Sequence, residues 1–189
     1  MSEQQQFPIR FVTQAEMKAL GDRYYVGRWT YFADAIRLAQ QVPGIEQFTP
    51  ADVLEIGPYR LPIVPGCDVL DNMDHGIPLA YKYDARQTPW PIMCGRYRLV
   101  IALQVMEHFD GKQPEAWQEI RRIADWAVVS VPHLWPISHG EDHANISLDT
   151  LTRWTGQIPV ESIISPTPGS PLTRLVCLYN LKDDATDAK

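Results

Sequence analysis

Acidic residues follow short apolar stretches in the first half of the chain. Val53–Ile56 is one such stretch and ends at Gly57, while Val69-Leu70 ends at Asp71, and Asp84 follows a third stretch. A glycine lets a ligand approach the backbone closely, and carboxylates accept hydrogen bonds from hydroxyl and amino groups. In an open parallel sheet, ligands bind beyond the carboxyl ends of the strands. We therefore expect Gly57, Asp71 and Asp84 to converge on one nucleoside-binding crevice.

Histidines form the second group of residues with chemical potential. His108 follows a strongly apolar segment, and His133, His139 and His143 crowd one polar segment further along. Histidine is the usual proton acceptor near neutral pH, so each could act as a general base on a bound hydroxyl. The alternative is that they are exposed loop residues.

The segment His139-Gly-Glu-Asp-His143 has a spacing that could hold a metal. Two histidines four positions apart, with Glu141 and Asp142 between them, would ligate a divalent cation if the segment were helical. Gly140 disfavours a helix, and the sequence has no second cluster of this kind. We therefore predict no metal site.

Composition limits the class of protein. The chain has 189 residues, 45% of them hydrophobic and 21% charged, which fits one soluble globular domain. The net charge of -6 and the lack of lysine and arginine runs argue against a nucleic-acid partner. No stretch resembles a secretory signal or a membrane span, so a cytoplasmic location without a membrane partner is expected. The three cysteines are widely spaced, which argues against disulfides or a cysteine zinc site.

Helical spacing of apolar residues predicts four helices. Thr13 and Glu16 form a capping-box pattern at the start of the first. The other three have apolar residues on one face and end at glycine, proline or an apolar strand. The predicted ranges are 13–21, 28–41, 114–126 and 147–156.

Uninterrupted apolar runs predict the strands of a parallel sheet, because they alternate with helices from residue 53 to residue 131. Prolines 58, 62 and 65 exclude a full helix between the first two strands. Residues 160–165 and 174–180 are separated by a turn-rich segment and predict an antiparallel final hairpin. The remaining predicted strands are 53–57, 69–71, 80–83, 98–103 and 127–131.

The order of these motifs resembles the class I S-adenosylmethionine-dependent methyltransferases. The residues concerned are Glu55-Ile-Gly57, Asp71, Asp84-Ala85, the run from Tyr97 to His108, and Val128-Val-Ser-Val-Pro132. The resemblance covers roughly residues 50–180. It implies an α/β, Rossmann-like, mostly parallel seven-stranded sheet with an antiparallel last strand, helices on both faces and an N-terminal helical extension.

The resemblance also implies a cofactor, S-adenosylmethionine, and the residues around it. Asp71 would bind the ribose hydroxyls, Asp84 the adenine amino group, and Glu55 with Gly57 the methionine end. Methyl transfer to a hydroxyl needs a base, for which we predict His139, His143 and His133. The full predicted cofactor set is Glu55, Gly57, Pro58, Tyr59, Asp71, Asn72, Met73, Asp84, Ala85, Leu103 and Gln104.

The sequence departs from the family pattern at the glycine-rich turn. The family usually has GxGxG, whereas this chain has Gly57-Pro58-Tyr59-Arg60-Leu61, and Arg98 stands where an acid is common. The short proline-rich connection that follows also occurs in methyltransferases of the cell-surface glycan type. With one glycine and no following helix, there is little provision for a pyrophosphate, which disfavours a nicotinamide-dependent oxidoreductase.

These observations predict methyl transfer to a small-molecule acceptor, a hydroxyl of a sugar or glycan precursor. The alternative is a non-catalytic protein that keeps the fold and acts as a regulatory or assembly partner. We expect residues 1–48 to form a helical arm or lid, 49–182 the methyltransferase-like domain and 183–189 a disordered tail. The aromatic group around Tyr24, Tyr25 and Trp29 either packs in the core or covers the crevice.

Overall fold

The computed structural model describes residues 8–139 and 143–182. Within these ranges, seven strands form one sheet in the order β3-β2-β1-β4-β5-β7-β6. All neighbours up to β5 pair in parallel, and β7 runs antiparallel to both β5 and β6. The predicted Rossmann-like sheet with an antiparallel last strand is therefore confirmed. The strands are β1 (Val53–Ile56), β2 (Asp68–Asp71), β3 (Tyr81–Lys82), β4 (Tyr97–Leu103), β5 (Ala124–His133), β6 (Glu161–Pro166) and β7 (Thr173–Asn180).

Four α-helices of the described chain pack on the two faces of this sheet, as predicted. They are α1 (Gln14–Ala19), α2 (Trp29–Ala39), α3 (Gln113–Ile123) and α4 (Leu148–Thr155). Alternate residues of the central strands point to opposite faces, so the sheet contributes to two hydrophobic cores. Leu54 and Val100 join the core beneath α3 and α4, while Val53 and Leu99 join the core beneath α1 and α2.

The ends of the helices follow their capping residues. Thr13 and Glu16 complete the predicted capping box of α1. Ser147 caps α4, which stops at Gly156 in the left-handed conformation. The predictions for α1, α2 and α4 therefore differ from the structure by a few residues at most.

The boundary between α3 and β5 was predicted wrongly. The sequence suggested a helix to Trp126 and a strand from Ala127, but the helix ends at Ile123 and β5 begins at Ala124. Trp126 pairs with Asn180 of β7 instead of lying on a helix. No glycine or proline separates the two elements, so the apolar pattern of the helix continues into the strand without a visible break.

The connection between β1 and β2 is described throughout and contains no α-helix, which confirms the prediction from its prolines. The turn after β1 therefore leads into a loop and not into a helix N-terminus. Within the two described ranges, no helix has both the length and the apolar character needed to span a bilayer.

Candidate functional site

A cleft of about 350 Å³ lies at the carboxyl ends of β1, β2 and β4. Ligand sites of open α/β sheets occur at this edge. Two cavities of about 390 and 480 Å³ lie elsewhere and include no residue from these strand ends. The cleft is lined by Tyr24, Ile56, Gly57, Tyr59, Leu70, Asp71, Asn72, Met73, His75, Tyr83, Asp84, Ala85, Arg86, Gln104, Val105, His108 and Phe109.

The turn after β1 depends on Gly57. Its φ is +59°, and its N–H donates to the carbonyl oxygen of Leu70 at 3.0 Å. A Cβ at this position would lie 2.9 Å from Cγ2 of Val105, which also lines the cleft. Glycine is therefore required both by the backbone conformation and by the close approach of the β4 loop.

Tyr59 occupies the position of the second family glycine and keeps a glycine-like conformation, with φ +60°. Such a conformation is costly for a residue with a side chain. The ring lies 4.5 Å from that of Tyr24 and 4.7 Å from that of His75, measured between centroids. This chain therefore builds one wall of the cleft from aromatic rings where the family has bare backbone.

Asp71 ends β2 and is only 8% exposed. Its Oδ1 accepts a hydrogen bond from the N–H of Met73 at 2.9 Å, which fixes the orientation of the carboxylate. Its Oδ2 lies 4.0 Å from Nε2 of His75, which also lines the cleft. One oxygen thus anchors the turn, and the second remains available to a ligand.

Asp84 is held by its neighbour Arg86. The guanidinium contacts both carboxylate oxygens, with Nε to Oδ1 at 3.0 Å and Nη2 to Oδ2 at 2.8 Å. These hydrogen bonds lower the pKa of the Asp84 carboxyl. Arg86 also binds Asp110 at 2.7 Å. Asp84 is therefore an ionised, oriented acceptor at the edge of the cleft.

Gln104 closes the far end of the cleft in a strained conformation, with φ +57°. Its N–H donates to the carbonyl oxygen of Ser130 at 2.8 Å, and its Oε1 accepts from Nε of Arg174 at 3.1 Å. Strained non-glycine residues concentrate at functional sites because the surrounding contacts must enforce them. Tyr59 and Gln104 are two such residues, and both line the cleft.

Glu55 does not line the cleft. It is 1% exposed, and its Oε2 accepts a hydrogen bond from the N–H of Ile63 at 2.8 Å. Burial raises the pKa of its carboxyl to about 8, although hydrogen bonds from Ile63 and Val64 act in the opposite direction. Glu55 holds the proline-rich connection in place and thereby positions the turn that follows Gly57.

Replacing Glu55 by glutamine should reduce the dependence of stability on pH. A buried acid with a raised pKa stays protonated in the folded chain while the unfolded chain ionises, so stability falls as the pH rises from about 4.5 to about 8. The slope from one such group is at most about 1.4 kcal/mol per pH unit. Denaturant unfolding at pH 6 and pH 8 should show a smaller loss for Glu55→Gln than for the unaltered protein. Equal losses would mean that Glu55 is already ionised at pH 6.

Two further predicted cofactor residues also lie outside the lining. Leu103 is 8% exposed and belongs to the core beneath α2. The carbonyl oxygen of Pro58 accepts a hydrogen bond from the hydroxyl of Tyr25 at 3.4 Å, so this residue faces the N-terminal segment. The structure therefore brings together eight of the predicted cofactor residues: Gly57, Tyr59, Asp71, Asn72, Met73, Asp84, Ala85 and Gln104.

The three histidines predicted as bases do not line one common cavity. His133 and His139 line a separate cavity with Trp135 and Leu172. Nδ1 of His133 lies 3.0 Å from Oγ1 of Thr173, and burial lowers its pKa. His143 instead approaches the main cleft. Gly140, Glu141 and Asp142 lie outside the described residues.

His143 joins His108 and Glu107 at one end of the cleft. The two imidazole rings are 4.9 Å apart and nearly perpendicular. Glu107 is 4% exposed, and burial raises the pKa of its carboxyl to about 8, opposed by the charges of Arg174 and Arg28. One acid and two imidazoles at one place are side chains of the types that serve in general acid–base catalysis.

Several residues that line the cleft lie outside the predicted cofactor set. His108 stands out as a histidine after β4, but the residues facing it come from distant parts of the chain. Tyr24 reaches the cleft from the N-terminal segment, which agrees with one of the two alternatives given for the aromatic group there. The lining residues outside the predicted set are Tyr24, Ile56, Leu70, His75, Tyr83, Arg86, Val105, His108 and Phe109.

Comparison with known proteins rests on structure, because no protein-family model matches the sequence and no curated protein matches it significantly. The N-methyltransferase NodS from Bradyrhizobium japonicum WM9, solved with S-adenosyl-L-homocysteine, superposes with a TM-score of 0.63 at 13% identity. The match covers 83% of this chain and 88% of NodS. The chain has the class I methyltransferase fold.

Two further methyltransferases extend this fold assignment. The 1,6-didemethyltoxoflavin-N1-methyltransferase from Burkholderia thailandensis matches with a TM-score of 0.53 at 15% identity, over 97% of this chain and 98% of that one. Geranyl diphosphate C-methyltransferase from Streptomyces coelicolor A3(2) matches with a TM-score of 0.55 at 11% identity, over 93% of this chain and 92% of that one. The class I methyltransferase fold thus extends over nearly the whole chain, including the N-terminal helices.

Proposed function

We propose that this protein transfers a methyl group from S-adenosylmethionine to a hydroxyl of a small molecule. The observation that carries the proposal is the position of Asp71. It ends β2 of a methyltransferase fold, is nearly buried, and presents one carboxylate oxygen that the turn does not use. An acid at this place in a nucleotide-binding sheet accepts hydrogen bonds from ribose hydroxyls.

The cleft fits the other parts of the same ligand. Asn72, Met73 and the ionised Asp84 would surround the adenine, and the backbone at Gly57 would lie against the methionine end. The volume of about 350 Å³ falls within the range of small-molecule sites. The solved relatives support this assignment, since NodS was crystallised with S-adenosyl-L-homocysteine.

S-adenosylmethionine supplies an electrophilic methyl group when bound. The residues of this chain then have two tasks, to align the acceptor oxygen with that methyl group and to remove the proton of the hydroxyl. We place the acceptor at the end of the cleft formed by Gln104, His108 and His143. An imidazole or the Glu107 carboxylate there can take the proton, while His133 and His139 face the neighbouring cavity.

We propose a sugar or glycan precursor as the acceptor. The support is the short proline-rich connection after β1, which resembles that of methyltransferases acting on cell-surface glycans. A panel of sugars, sugar nucleotides, phenols and amines, tested for formation of S-adenosylhomocysteine, would decide the class. Methylation of amines or phenols in preference to every sugar would refute this part of the proposal.

A non-catalytic role is the second candidate, and the substituted glycine turn favours it. Tyr59 stands where the resemblance implies a glycine, and its ring packs 4.5 Å from that of Tyr24, measured between centroids. The presence of Arg98 where the family often has an acid carries less weight. Its guanidinium lies 3.7 Å from the centre of the Phe48 ring, and the residue is absent from the lining of the cleft. A protein that binds the cofactor tightly but transfers no methyl group to any member of the panel would favour this second role.

Tyr24 is proposed as the part of the N-terminal segment that covers the cofactor. Most aromatic residues of this segment are buried, including Tyr25, Tyr31 and Phe32, but Tyr24 is 37% exposed and lies against Tyr59 and Arg28. We expect Tyr24→Ala to weaken S-adenosylmethionine binding by about fivefold, since a stacked aromatic ring contributes about 1 kcal/mol.

Calorimetric titration checks this prediction, with Tyr24→Phe as the matched variant that keeps the ring. Tyr24→Phe should bind almost as tightly as the unaltered protein. If Tyr24→Ala also bound normally, the N-terminal segment would have no covering role at this position.

A further inference from the structure

We infer that Glu107, His108 and His143 form a binding site for a divalent transition-metal cation. One carboxylate oxygen and one imidazole nitrogen from each histidine lie within 4.8 Å of one another. Glu107 and His108 come from the turn after β4, and His143 comes from the loop after β5. A small rotation of the two histidines would bring the three atoms into one coordination sphere.

The buried carboxylate is the first reason to assign a ligand here. Glu107 is 4% exposed, and its Oε2 has no hydrogen-bond partner among residues 8–139 and 143–182. An unpartnered buried carboxylate oxygen is costly, because desolvation is not repaid by a hydrogen bond. A cation bound between Glu107 and the histidines would satisfy this oxygen.

The second reason is the hydrogen bond that orients His143. Its Nδ1 lies 3.1 Å from the carbonyl oxygen of His139, and since a carbonyl only accepts, Nδ1 carries the proton. The lone pair is then on Nε2. Histidine ligands of metals are commonly held in this way, with the other ring nitrogen donating to a backbone carbonyl.

The loop that carries His143 is fixed at both ends. The N–H of Leu134 donates to the carbonyl oxygen of Ile146 at 2.9 Å, and the N–H of Asn145 donates to the carbonyl oxygen of Trp135 at 2.9 Å. The indole of Trp135 donates to the carbonyl oxygen of Thr173 at 2.6 Å and packs 5.9 Å from the His143 ring. These contacts hold the backbone both before residue 140 and after residue 142, and they position His143.

The donor set indicates which ions bind. Two imidazoles and one carboxylate suit Zn²⁺, Mn²⁺, Fe²⁺ or Co²⁺ better than Mg²⁺ or Ca²⁺, which prefer oxygen ligands. Three protein ligands leave coordination positions open, as in catalytic metal sites. Arg28 and Arg174 act electrostatically on Glu107, so we expect micromolar affinity and not the tighter binding of a structural site.

The role of the cation rests on the proposed function. His108 lines the cleft beside Gln104 and Val105, so an open coordination position would face the acceptor. With Glu107 and both imidazoles bound to the cation, the cation replaces them as the group that promotes loss of the proton. A hydroxyl bound to it loses its proton more readily, and that proton passes to solvent. The acceptor oxygen would then form its bond to the methyl carbon as the carbon–sulfur bond of the cofactor breaks.

The test uses the untagged full chain, freed of metal with a chelator, and titrates it with Co²⁺ and Zn²⁺. We expect one Co²⁺ per chain with a visible absorption band, and at least about tenfold weaker binding in His143→Ala and Glu107→Gln. His139→Ala is the matched control, since it removes a neighbouring histidine outside the proposed ligand set. Thermal melting verifies that each variant is folded.

Three results would overturn the assignment. They are the absence of saturable binding to the folded protein, equal binding by His143→Ala, and a loss in His139→Ala as large as that in His143→Ala. The metal titration needs no cofactor, so it can fail or succeed independently of the methyltransferase proposal. Metal binding without S-adenosylmethionine binding would keep the site and reject the function, and the reverse result would do the opposite.

Discussion

Replacement of Asp71 by alanine is expected to weaken S-adenosylmethionine binding by about 100-fold while the protein stays folded. The variant would lose charge-assisted hydrogen bonds to two ribose hydroxyls, which together contribute about 3 kcal/mol, or a factor of about 100. It would also lose the hydrogen bond from the N–H of Met73. Isothermal titration calorimetry measures the affinity, and circular dichroism checks the fold.

The neighbouring Asp74 offers a matched control for the loss of a hydrogen bond between an aspartate and the backbone of this loop. Its Oδ1 accepts a hydrogen bond from the N–H of Gly76 at 2.8 Å, so Asp74→Ala breaks the same kind of contact in the same loop. Asp74 is absent from the lining of the cleft. We expect the affinity of Asp74→Ala for S-adenosylmethionine to differ from that of the unaltered protein by less than about threefold. If Asp71→Ala bound the cofactor as well as Asp74→Ala does, the ribose assignment would be wrong.

The second large effect is expected at Gly57. In Gly57→Ala, the new Cβ would stand 2.9 Å from Cγ2 of Val105 and would push that side chain into the cleft. We expect at least about tenfold weaker cofactor binding, together with a loss of about 1 kcal/mol in the free energy of unfolding from the positive φ. Calorimetric titration and chemical denaturation measure the two effects separately.

Gly95 provides the matched control for the backbone strain alone. Its φ is +62°, close to the +59° of Gly57, but apart from Gly95 and its two chain neighbours no heavy atom of the described chain lies within 4 Å of the position that a Cβ would take there. Gly95→Ala should therefore lose similar stability and keep full affinity. Adding Val105→Ala to Gly57→Ala should restore part of the binding, because it removes the collision. Equal losses of affinity in both glycine variants would show that the collision with Val105 is not the cause.

The strand ends of the site were predictable from the sequence, because apolar strands stop at polar residues. Gly57, Asp71 and Asp84 all lie where that rule placed them, around a single cleft. Glu55 also lies near a strand end, but this position alone did not reveal which way its side chain points. Side chains alternate along β1, and that of Glu55 lies on the face beneath α2. There it accepts a hydrogen bond from the N–H of Ile63 instead of facing the cleft.

Contacts between distant segments account for most of what the sequence did not reveal. His143 and Glu107 are 36 positions apart, and they meet only because the loop after β5 folds back toward β4. His133 and His139 belong to the same loop but face another cavity. In the sequence, all these histidines were candidates for a base at the crevice. The path of the loop decides which of them reaches it.

The boundary between α3 and β5 was missed for a local reason. Ile120, Ile123 and Ala124 continue one helical pattern, yet Ala124 already has extended backbone angles and pairs with Tyr97. A strand that begins without a turn residue looks like the continuation of the helix before it. Pairing with β4 decides the conformation, and that pairing is a property of the folded sheet.

Calorimetric titration of the folded protein with S-adenosylhomocysteine asks whether the cleft is a cofactor site at all. The product of the proposed reaction should bind there whether or not the right acceptor is known. We predict saturable binding of one molecule per chain with micromolar affinity, which Asp71→Ala reduces by about 100-fold. If neither S-adenosylhomocysteine nor S-adenosylmethionine bound saturably to the folded, unaltered protein, the proposed methyltransferase function would be contradicted.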